Sequence, residues 1–269
     1  MVLFPNAKVN IGLEILRKRP DNYHDLETVF YPLLLSDVLE INKSHEFEFS
    51  ASGIQVGNST DNLVVKAYQL LQSEYNLPAV KIHLLKCIPM GAGLGGGSSD
   101  AAFTLVGLNE LFELGLSKKE LIAYASKLGS DCPFFIINQP SFAEGRGEIL
   151  SECEVNLSGY KLVLIKPECS VPTAVAYSKV TPVLPSVSLL QLVKEGAKEW
   201  PGKVVNRFEE SVFPSYPQIK EIKEMLYSKG AVYASMSGSG SSVFGIFRAG
   251  NHSLREEFPG SFYWEEVIR

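Results

Sequence analysis

The chain has few of the residues that mark disulfide-bonded or zinc-binding proteins. Its 269 residues include four cysteines and four histidines. The cysteines form no Cys-x-x-Cys pair and the histidines lack the spacing of zinc ligands, which argues against a structural zinc site. Isolated cysteines are typical of a reducing compartment, so we expect a cytoplasmic protein.

A large excess of charge is also absent. Lysine and arginine number 25 against 30 aspartate and glutamate residues, which gives a formal net charge of −5. A chain without a strong positive field is a poor general binder of nucleic acid or anionic membranes. We therefore expect no nucleic-acid or membrane partner, and any phosphate group must be bound at a local site.

Long apolar runs are missing as well. Residues 1–8 have neither the basic start nor the apolar core of a secretory signal. The uncharged stretch 230–247 is interrupted by glycine and serine, which is typical of two strands joined by a turn rather than a membrane span. The hydrophobic content of 45% instead predicts one or two globular domains with a substantial core.

The most informative segment that is present is 89–102, which holds five glycines between a strand-like run at 80–85 and an apolar helix start. Glycine adopts positive φ and lets backbone amides approach an anion, and the helix N-terminus adds unpaired donors and a positive dipole end. Ser98, Ser99 or Asp100 is expected to cap this helix. The segment predicts a phosphate-binding loop; a merely flexible loop is the alternative.

The class of the loop follows from the residues around it. A Walker loop needs a lysine directly after its last glycine, and the next lysine in this chain is Lys118. The glycine spacing at 91–96 fits a dinucleotide fingerprint, but no acidic residue ends a second strand about 20 positions on. Ser117 and Glu120 instead predict a capping box at the start of another helix. Protein-kinase His-Arg-Asp and Asp-Phe-Gly motifs are absent too.

Periodicity predicts a mixed α+β chain. Helical spacing predicts helices at 63–75, from 101 onward, at 117–129, at 188–200 and at 219–229. Alternation and short apolar runs predict strands at 7–16, within 38–49, and at 80–85, 133–137, 160–165, 231–236, 243–247 and 262–268. Asp61 or Asn62 would cap the first helix. A first domain would span 1–152 and a second 153–269.

Three residues are candidates for chemistry near the glycine-rich loop. Lys8 and Asn10 lie on one face of the predicted strand 7–16, and Asp131 lies at the edge of the apolar run 133–137. Taken singly, the lysine would be a solvated edge residue and the aspartate a turn residue. A lysine and an aspartate that both face the loop would suit phosphoryl transfer to an alcohol. The sequence does not show that they meet.

Two other loops each have two interpretations. Residues 17–24 form a basic turn that ends in Tyr23 and His24. This turn is either a surface loop or a base-recognition element, in which the tyrosine stacks on a nucleobase and the imidazole hydrogen-bonds to its polar edge. Residues 237–242, rich in serine and glycine, are either a hairpin turn or a second wall of the phosphate site.

Together these motifs resemble those of the GHMP small-molecule kinases. The resemblance covers most of the chain and is carried by 7–10, 21–24, 26–30, 89–102, 129–134, 143–148 and 237–240. It implies a two-domain α+β fold, with an N-terminal α/β domain that contains a left-handed βαβ unit and a C-terminal ferredoxin-like domain. Asn22 stands where glycine is more usual in the family, and Tyr177 where phenylalanine is often found.

The resemblance also implies roles for individual residues in transfer of the ATP γ-phosphate to an alcohol. Asp131 would be the catalytic base, and Lys8 would polarise or position the hydroxyl. ATP would be bound by Asn62, Lys86, Pro89, Met90, Gly91, Ala92, Gly93, Leu94, Gly95, Gly96, Gly97, Ser98 and Ser99. Mg²⁺ would accompany the nucleotide, with Ser99 a candidate ligand. An acceptor carrying a cytidine diphosphate group would be bound by Asn10, Tyr23, His24, Asp131, Thr173 and Tyr177.

Two other functions compete with this interpretation. In the first, the chain is another GHMP kinase that acts on homoserine, mevalonate or a sugar. In the second, it is a nucleotide-binding protein that transfers no phosphate. Tyr23, His24 and Tyr177 favour an acceptor with a base, because a small acceptor gives them nothing to bind. Lys8 and Asp131 favour a kinase over a binding protein. We expect a monomer or a weak homodimer.

Overall fold

The computed structural model describes residues 1–56, 61–250 and 253–268. Strands β1 to β12 are Val2–Leu3, Asn6–Lys18, His24–Ser36, Val38–Lys43, Glu48–Gly53, Val80–Lys86, Ser141–Glu144, Ile149–Glu152, Tyr160–Lys166, Tyr233–Met236, Val243–Arg248 and Phe262–Val267. Helices α1 to α8 are Leu63–Tyr75, Gly96–Leu111, Lys118–Leu128, Cys132–Ile137, Thr173–Ser178, Leu189–Lys194, Phe208–Val212 and Pro217–Ser228. Every helix in the described ranges is too short or too polar to cross a membrane.

The chain divides into two units that are interleaved in sequence. Unit 1 consists of Met1–Lys8, Pro32–Met90 and Gly95–Gln139. Unit 2 consists of Val9–Tyr31, Gly91–Leu94 and Pro140–Arg269. The domain boundary expected after residue 152 stays a prediction.

Unit 1 is built on a four-stranded sheet with the order β1-β4-β6-β5. β5 and β6 run parallel and are joined by α1, which makes a βαβ unit. Along β6 every second residue is buried, so the side chains of Val80, Ile82 and Leu84 point to one face of the sheet. That face packs in one hydrophobic core with the buried residues of α1 and α2.

Unit 2 contains an antiparallel sheet with the order β10-β11-β9-β12. The first strand of this segment, β9, lies between β11 and β12, which is the strand order of a ferredoxin-like domain. One face packs against α8, where Val163 and Ile165 share a core with Ile219 and Leu226. A third sheet has the order β2-β3-β7-β8.

Several elements begin where the sequence places them. The α1 helix spans the predicted 63–75, and the Oδ1 of Asn62 accepts a hydrogen bond from the backbone N–H of Val64 at 2.9 Å, as a cap does. Ser117 and Glu120 form the predicted capping box of α3. Asn22 has a φ of +66°, the left-handed conformation in which glycine is most readily accommodated.

The predicted strand at 133–137 is wrong, because these residues form most of α4. Pro133 lies in the first turn of this helix, where the missing proline N–H removes no helical hydrogen bond. A short apolar run that is mostly buried has the same pattern in a strand and in a helix, so periodicity does not distinguish them. Asp131 consequently precedes a helix rather than a strand.

Two further helix predictions need correction. Ser98, Ser99 and Asp100 do not cap α2: they lie inside it, and Gly95 with a φ of +70° is the N-cap. The helix predicted at 188–200 is interrupted after α6 by Gly196, whose φ of +92° ends the helix before a short 3₁₀ helix at Ala197–Glu199.

Candidate active site

The glycine-rich loop combines left-handed turns with a helix N-terminus. Gly91, Gly93 and Gly95 have φ values of +59°, +76° and +70°, which a residue with a Cβ adopts only with strain. The first amides of α2, at 96–98, have no acceptor within the helix, because helical hydrogen bonds start only after the first turn. The loop therefore offers backbone donors and the positive end of the helix dipole to an anion.

Lys8 and Asp131, which the sequence could not bring together, form an ion pair in unit 1. The Nζ of Lys8 lies 3.3 Å from Oδ2 of Asp131. The lysine side chain is 4% exposed and the aspartate side chain 34% exposed, so the carboxylate is the member of the pair that solvent and ligands can reach. A Cβ built on Gly95 would lie 3.1 Å from Cε of Lys8, which places the start of α2 against the same lysine.

The residue after Asp131 is a buried cysteine. Cys132 opens α4 and is fully shielded from solvent. Burial is the main cause that raises the pKa of its thiol to about 12, and the charge of Asp131 adds to this effect. Cys132 is therefore protonated at neutral pH.

A buried cluster of charges lies beneath the N-terminus of α2. The ammonium of Lys86 pairs with Asp37 and, at 2.7 Å, with Asp100. Asp37 also accepts hydrogen bonds from the backbone amides of Cys87 and Ile88. Sequence reasoning missed Asp37, although an aspartate that interrupts the apolar run between β3 and β4 was a visible signal.

The protonation of Asp100 depends on this cluster. Burial, aided by the charge of Asp37, raises the pKa of Asp100 to about 7, although Lys86 acts in the opposite direction. The Oδ1 of Asp100 has no hydrogen-bond partner. A Cβ built on Gly96 would lie 2.9 Å from Nζ of Lys86, so the lysine ammonium supports the first residue of α2 from below.

Asn62 and Lys86, which the family resemblance assigns to the adenine end of ATP, have other partners within the protein. The ammonium of Lys86 is taken up by two carboxylates, and the Oδ1 of Asn62 caps α1. A role of either residue in binding adenine stays a prediction.

The residues of the site do not fit a magnesium ion held by protein ligands. Ser99 is completely buried in α2 and its hydroxyl has no hydrogen-bond partner. Within the described part of the chain, no three His, Cys, Asp or Glu side chains are grouped to hold a metal. Mg²⁺ prefers carboxylate and phosphate oxygens, and a single shielded hydroxyl does not supply such a set.

In unit 2, the segment 237–242 connects β10 to the antiparallel β11 and also contacts the glycine-rich loop. The hydroxyl of Ser237 donates to the carbonyl oxygen of Gly93 at 2.8 Å, and the N–H of Ser242 donates to the carbonyl oxygen of Ala92 at 3.2 Å. The backbone N–H of Asn10 donates to the same Ser237 hydroxyl at 3.1 Å. The segment is therefore a hairpin turn that also supports the glycine-rich loop. Its role as a second wall of a phosphate site stays a prediction.

The side chain of Asn10 has a partner within unit 2. Its Nδ2 donates to the hydroxyl of Thr28 at 2.9 Å. This bond fixes the amide against β3, because the hydroxyl of Thr28 in turn donates to the carbonyl oxygen of Gly12 at 2.6 Å. Contact of Asn10 with an acceptor stays a prediction.

His24 and Tyr177 form a stacked pair in unit 2, with ring centroids 5.0 Å apart and an interplanar angle of 23°. Burial, and then the charge of Lys18, lowers the pKa of His24 below its usual 6.5. The imidazole is thus neutral at pH 7, with one nitrogen that donates and one that accepts a hydrogen bond.

Tyr23 has a different neighbour from His24. Its ring is 55% exposed and lies 5.0 Å from the guanidinium carbon of Arg146, a cation–π contact. Thr173, at the start of α5, has its hydroxyl 3.3 Å from the hydroxyl of Ser239. The structure thus joins His24 with Tyr177 but does not add Tyr23 to the stack.

The positive charges of the predicted basic turn are largely matched by acidic side chains. Arg17 pairs with Asp25, and Arg19 pairs with both Asp21 and Asp25. The backbone N–H of Tyr23 also donates to Asp21 at 3.1 Å. The turn is therefore an ordered connection between β2 and β3 rather than an open patch of positive charge.

Comparison with protein families identifies the class. The model for the GHMP kinases N terminal domain matches residues 62–139, and the model for the GHMP kinases C terminal matches residues 189–260. Together they cover more than half of the chain, and the first contains the glycine-rich loop and Asp131. The chain belongs to the GHMP kinase family, a family of phosphotransferases.

Individual relatives narrow the class. A 4-diphosphocytidyl-2-C-methyl-D-erythritol kinase from Bacteroides fragilis is 51% identical over 274 residues and is covered completely, as is this chain. A crystal structure of 4-(cytidine 5'-diphospho)-2C-methyl-D-erythritol kinase superimposes with a TM-score of 0.83 at 31% identity, over 98% of each chain. The chain is thus similar over its whole length to kinases that carry this name.

A more distant structure shares the fold of this chain but little of its sequence. The mevalonate kinase of Methanococcus jannaschii superimposes with a TM-score of 0.72, over 100% of this chain and 98% of its own, at 13% sequence identity. At such low identity the match shows a shared fold and does not define the acceptor. The alternative of a homoserine, mevalonate or sugar kinase is not favoured, because the relatives that match at high identity over the whole chain have the cytidyl name.

Proposed function

We propose that the protein transfers the γ-phosphate of ATP to the 2-hydroxyl of 4-diphosphocytidyl-2-C-methyl-D-erythritol, giving the 2-phosphate and ADP. This reaction belongs to the non-mevalonate route to isopentenyl diphosphate, in which the protein would act in the cytoplasm. The observation that carries the proposal is the identity of about half of all residues, over the whole chain, with kinases named for this substrate. The ion pair of Lys8 and Asp131 supports the chemistry.

The chemistry proposed for the ion pair is proton removal and charge stabilisation. The carboxylate of Asp131, whose side chain is 34% exposed, would accept the proton of the 2-hydroxyl as the oxygen attacks the γ-phosphorus. The bond between that phosphorus and the bridging oxygen of ADP breaks, and ADP leaves with the electron pair. Lys8 would orient the carboxylate and stabilise negative charge on the transferred group, because its buried ammonium is fixed 3.3 Å away.

The glycine-rich loop is proposed to bind the phosphates of ATP. Its backbone amides supply donors in fixed directions. Because folding of the protein already orders these donors, binding of the phosphates loses less conformational entropy. We propose that Mg²⁺ enters with the nucleotide and is held by phosphate oxygens, where it would neutralise their charge.

The stacked pair of His24 and Tyr177 is proposed to hold the cytosine. Two aromatic contacts of about 3.5 Å each are needed to sandwich a base, so the ring centroids would move apart from 5.0 Å by about 2 Å when the acceptor binds. The neutral imidazole offers both a donor and an acceptor, which matches the polar edge of cytosine. Tyr23, held by Arg146, would contact the base from outside this pair.

The test is an ADP-release assay with alcohols that do or do not carry a cytidine diphosphate group. We expect turnover with 4-diphosphocytidyl-2-C-methyl-D-erythritol and little with free methylerythritol, homoserine or mevalonate. An Asp131→Asn preparation of the same purity controls for contaminating ATPase activity. Equal turnover of free methylerythritol would refute recognition of the cytidine group, and preferred turnover of homoserine or mevalonate would establish the alternative acceptor class.

A further inference from the structure

Asn206 is a buried asparagine whose amide bonds three backbone groups. It is 2% exposed. Its Nδ2 donates to the carbonyl oxygens of Met236 at 2.7 Å and Gly238 at 2.8 Å, and its Oδ1 accepts from the N–H of Phe208 at 3.0 Å. Both amide hydrogens are therefore used, and they go to two carbonyls on either side of Ser237.

The neighbours of the Asn206 amide fix its orientation. A flipped amide would place an oxygen against two carbonyl oxygens and an NH₂ group against the N–H of Phe208, which leaves all three contacts repulsive. The backbone is fixed as well, since Leu13 of β2 bonds on either side of Asn206, to the carbonyl oxygen of Val205 at 2.8 Å and the N–H of Arg207 at 2.9 Å.

The carbonyls held by Asn206 belong to the segment that supports the glycine-rich loop. Met236 ends β10 and Gly238 follows Ser237, whose hydroxyl donates to the carbonyl oxygen of Gly93. Asn206 is thus linked to Gly93 by hydrogen bonds at either end of a short stretch of backbone, 236–238, and all members of this series lie in unit 2. The polar atoms of this series have little freedom to move, because each of them is buried or hydrogen-bonded.

We infer that Asn206 is a positioning residue for the ATP-binding loop: it holds segment 237–242 so that Ser237 and Ser242 keep Ala92 and Gly93 in place. The inference rests on the proposal that this loop binds ATP. Its loss should therefore weaken ATP binding.

Two substitutions separate this role from the role of Asn206 at the start of α7. Asn206→Ser keeps an oxygen that can accept from the N–H of Phe208, as serine does at helix starts, but its side chain is too short to donate to both carbonyls. Asn206→Ala removes all three bonds. We expect the Tm of the serine variant to lie within a few degrees of the wild-type Tm, and the alanine variant to have a lower Tm.

The decisive measurement is the affinity for a non-hydrolysable ATP analogue, measured by calorimetry without acceptor. We expect Asn206→Ser to weaken it about 10-fold, equivalent to about 1.4 kcal/mol, and to raise KM for ATP by a larger factor than KM for the acceptor. Asn109→Ser is the matched control. Its amide likewise bonds one loop, through the N–H and carbonyl of Leu116, but that loop belongs to unit 1.

Ser237→Ala tests the next link independently of how well the Asn206 variants fold. It should weaken the affinity for the analogue by a similar factor. The double variant should bind the analogue no more weakly than the single variants, because both substitutions break the same series of contacts. Wild-type affinity in Asn206→Ser or in Ser237→Ala would overturn the inference. A wild-type protein that binds the analogue but does not phosphorylate the cytidyl alcohol would instead refute the proposed acceptor and leave the role of Asn206 standing.

Discussion

Gly93 and Ser237 are packed so closely that no other residue fits at position 93. A Cβ built on Gly93 would lie 2.0 Å from the carbonyl oxygen of Ser237, well inside van der Waals contact. The obstacle is backbone, which cannot rotate away as the end of a side chain can. The φ of +76° adds strain for any residue with a Cβ.

Gly93→Ala should therefore displace the loop and lower kcat/KM for ATP by at least about 10-fold, since the displacement removes a fixed set of phosphate donors. Gly91→Ala is the matched control, because Gly91 also has a positive φ of +59° but nothing lies within 4 Å of its Cβ position. Strain alone costs about 1 kcal/mol, so this variant should be only mildly affected. Equal loss in the two variants would show that the clash with Ser237 is unimportant.

Asp131→Asn should lower kcat by about 10²-fold to 10⁴-fold while the fold is retained, because the amide cannot accept the hydroxyl proton. Steady-state kinetics at saturating ATP and acceptor measures this. Glu195→Gln, which removes a carboxylate from the surface pair with Lys203 at 2.7 Å, controls for the loss of an ion pair and should be fully active. A kcat near that of the wild type in Asp131→Asn would exclude it as the base.

His24→Ala should raise KM for the acceptor and leave KM for ATP unchanged, because the imidazole stacks on Tyr177, with which we propose it holds the cytosine. The pKa of His24 lies below 6.5, so in the wild type KM for the acceptor should stay constant at pH 7 to 8 and rise as the pH falls below that pKa. The variant should lose this acid limb.

His83→Gln is the control for His24→Ala, because the ring of His83 bonds Ser50 and Ser52 on the sheet of unit 1. Its kinetics should match the wild type at every pH. A rise in KM for ATP in His24→Ala, with KM for the acceptor unchanged, would reverse the assignment of the two substrates.

Asp100→Asn should change how stability depends on pH. The pKa of Asp100 in the folded state is raised to about 7, above its unfolded value near 3.9. The folded protein therefore binds more protons than the unfolded chain between these two values. The stabilisation that Asp100 contributes is lost as the pH rises from about 4 to 7. The asparagine mimics the protonated form, so Lys86 keeps Asp37 as its partner. Relative to wild type, the variant should be more stable at pH 8.5 than at pH 5.5, measured by urea midpoints. The opposite trend would mean that Asp100 is ionised in the folded state.

Local signals in the sequence were sufficient for much of the fold. Asn62 before an amphipathic run and Ser117 three residues before Glu120 define helix starts through contacts within one turn. The apolar residues of 133–137 gave no such signal, since a buried short helix and a buried strand share one pattern. The helix at 188–200 was overextended because Gly196 was not weighed as a helix terminator.

The site was predictable in its parts but not in its pairings. The family motifs pointed to Lys8 and Asp131, but only the fold brings residues 123 positions apart to 3.3 Å. Asp37 and Asn206 were missed for the same reason: the partners that give them their roles in the site lie far along the chain. Contacts set by tertiary packing leave little trace in local sequence.

Cys132 gives the protein a built-in chemical reporter. The thiolate is the reactive form of cysteine, and a pKa near 12 leaves almost none of it at neutral pH while α4 stays folded. Alkylation of Cys132 therefore proceeds only through molecules in which α4 has opened, so its rate measures how often the helix beside Asp131 unfolds. The residue next to the proposed base thus records the local dynamics of the proposed catalytic site without any engineered label.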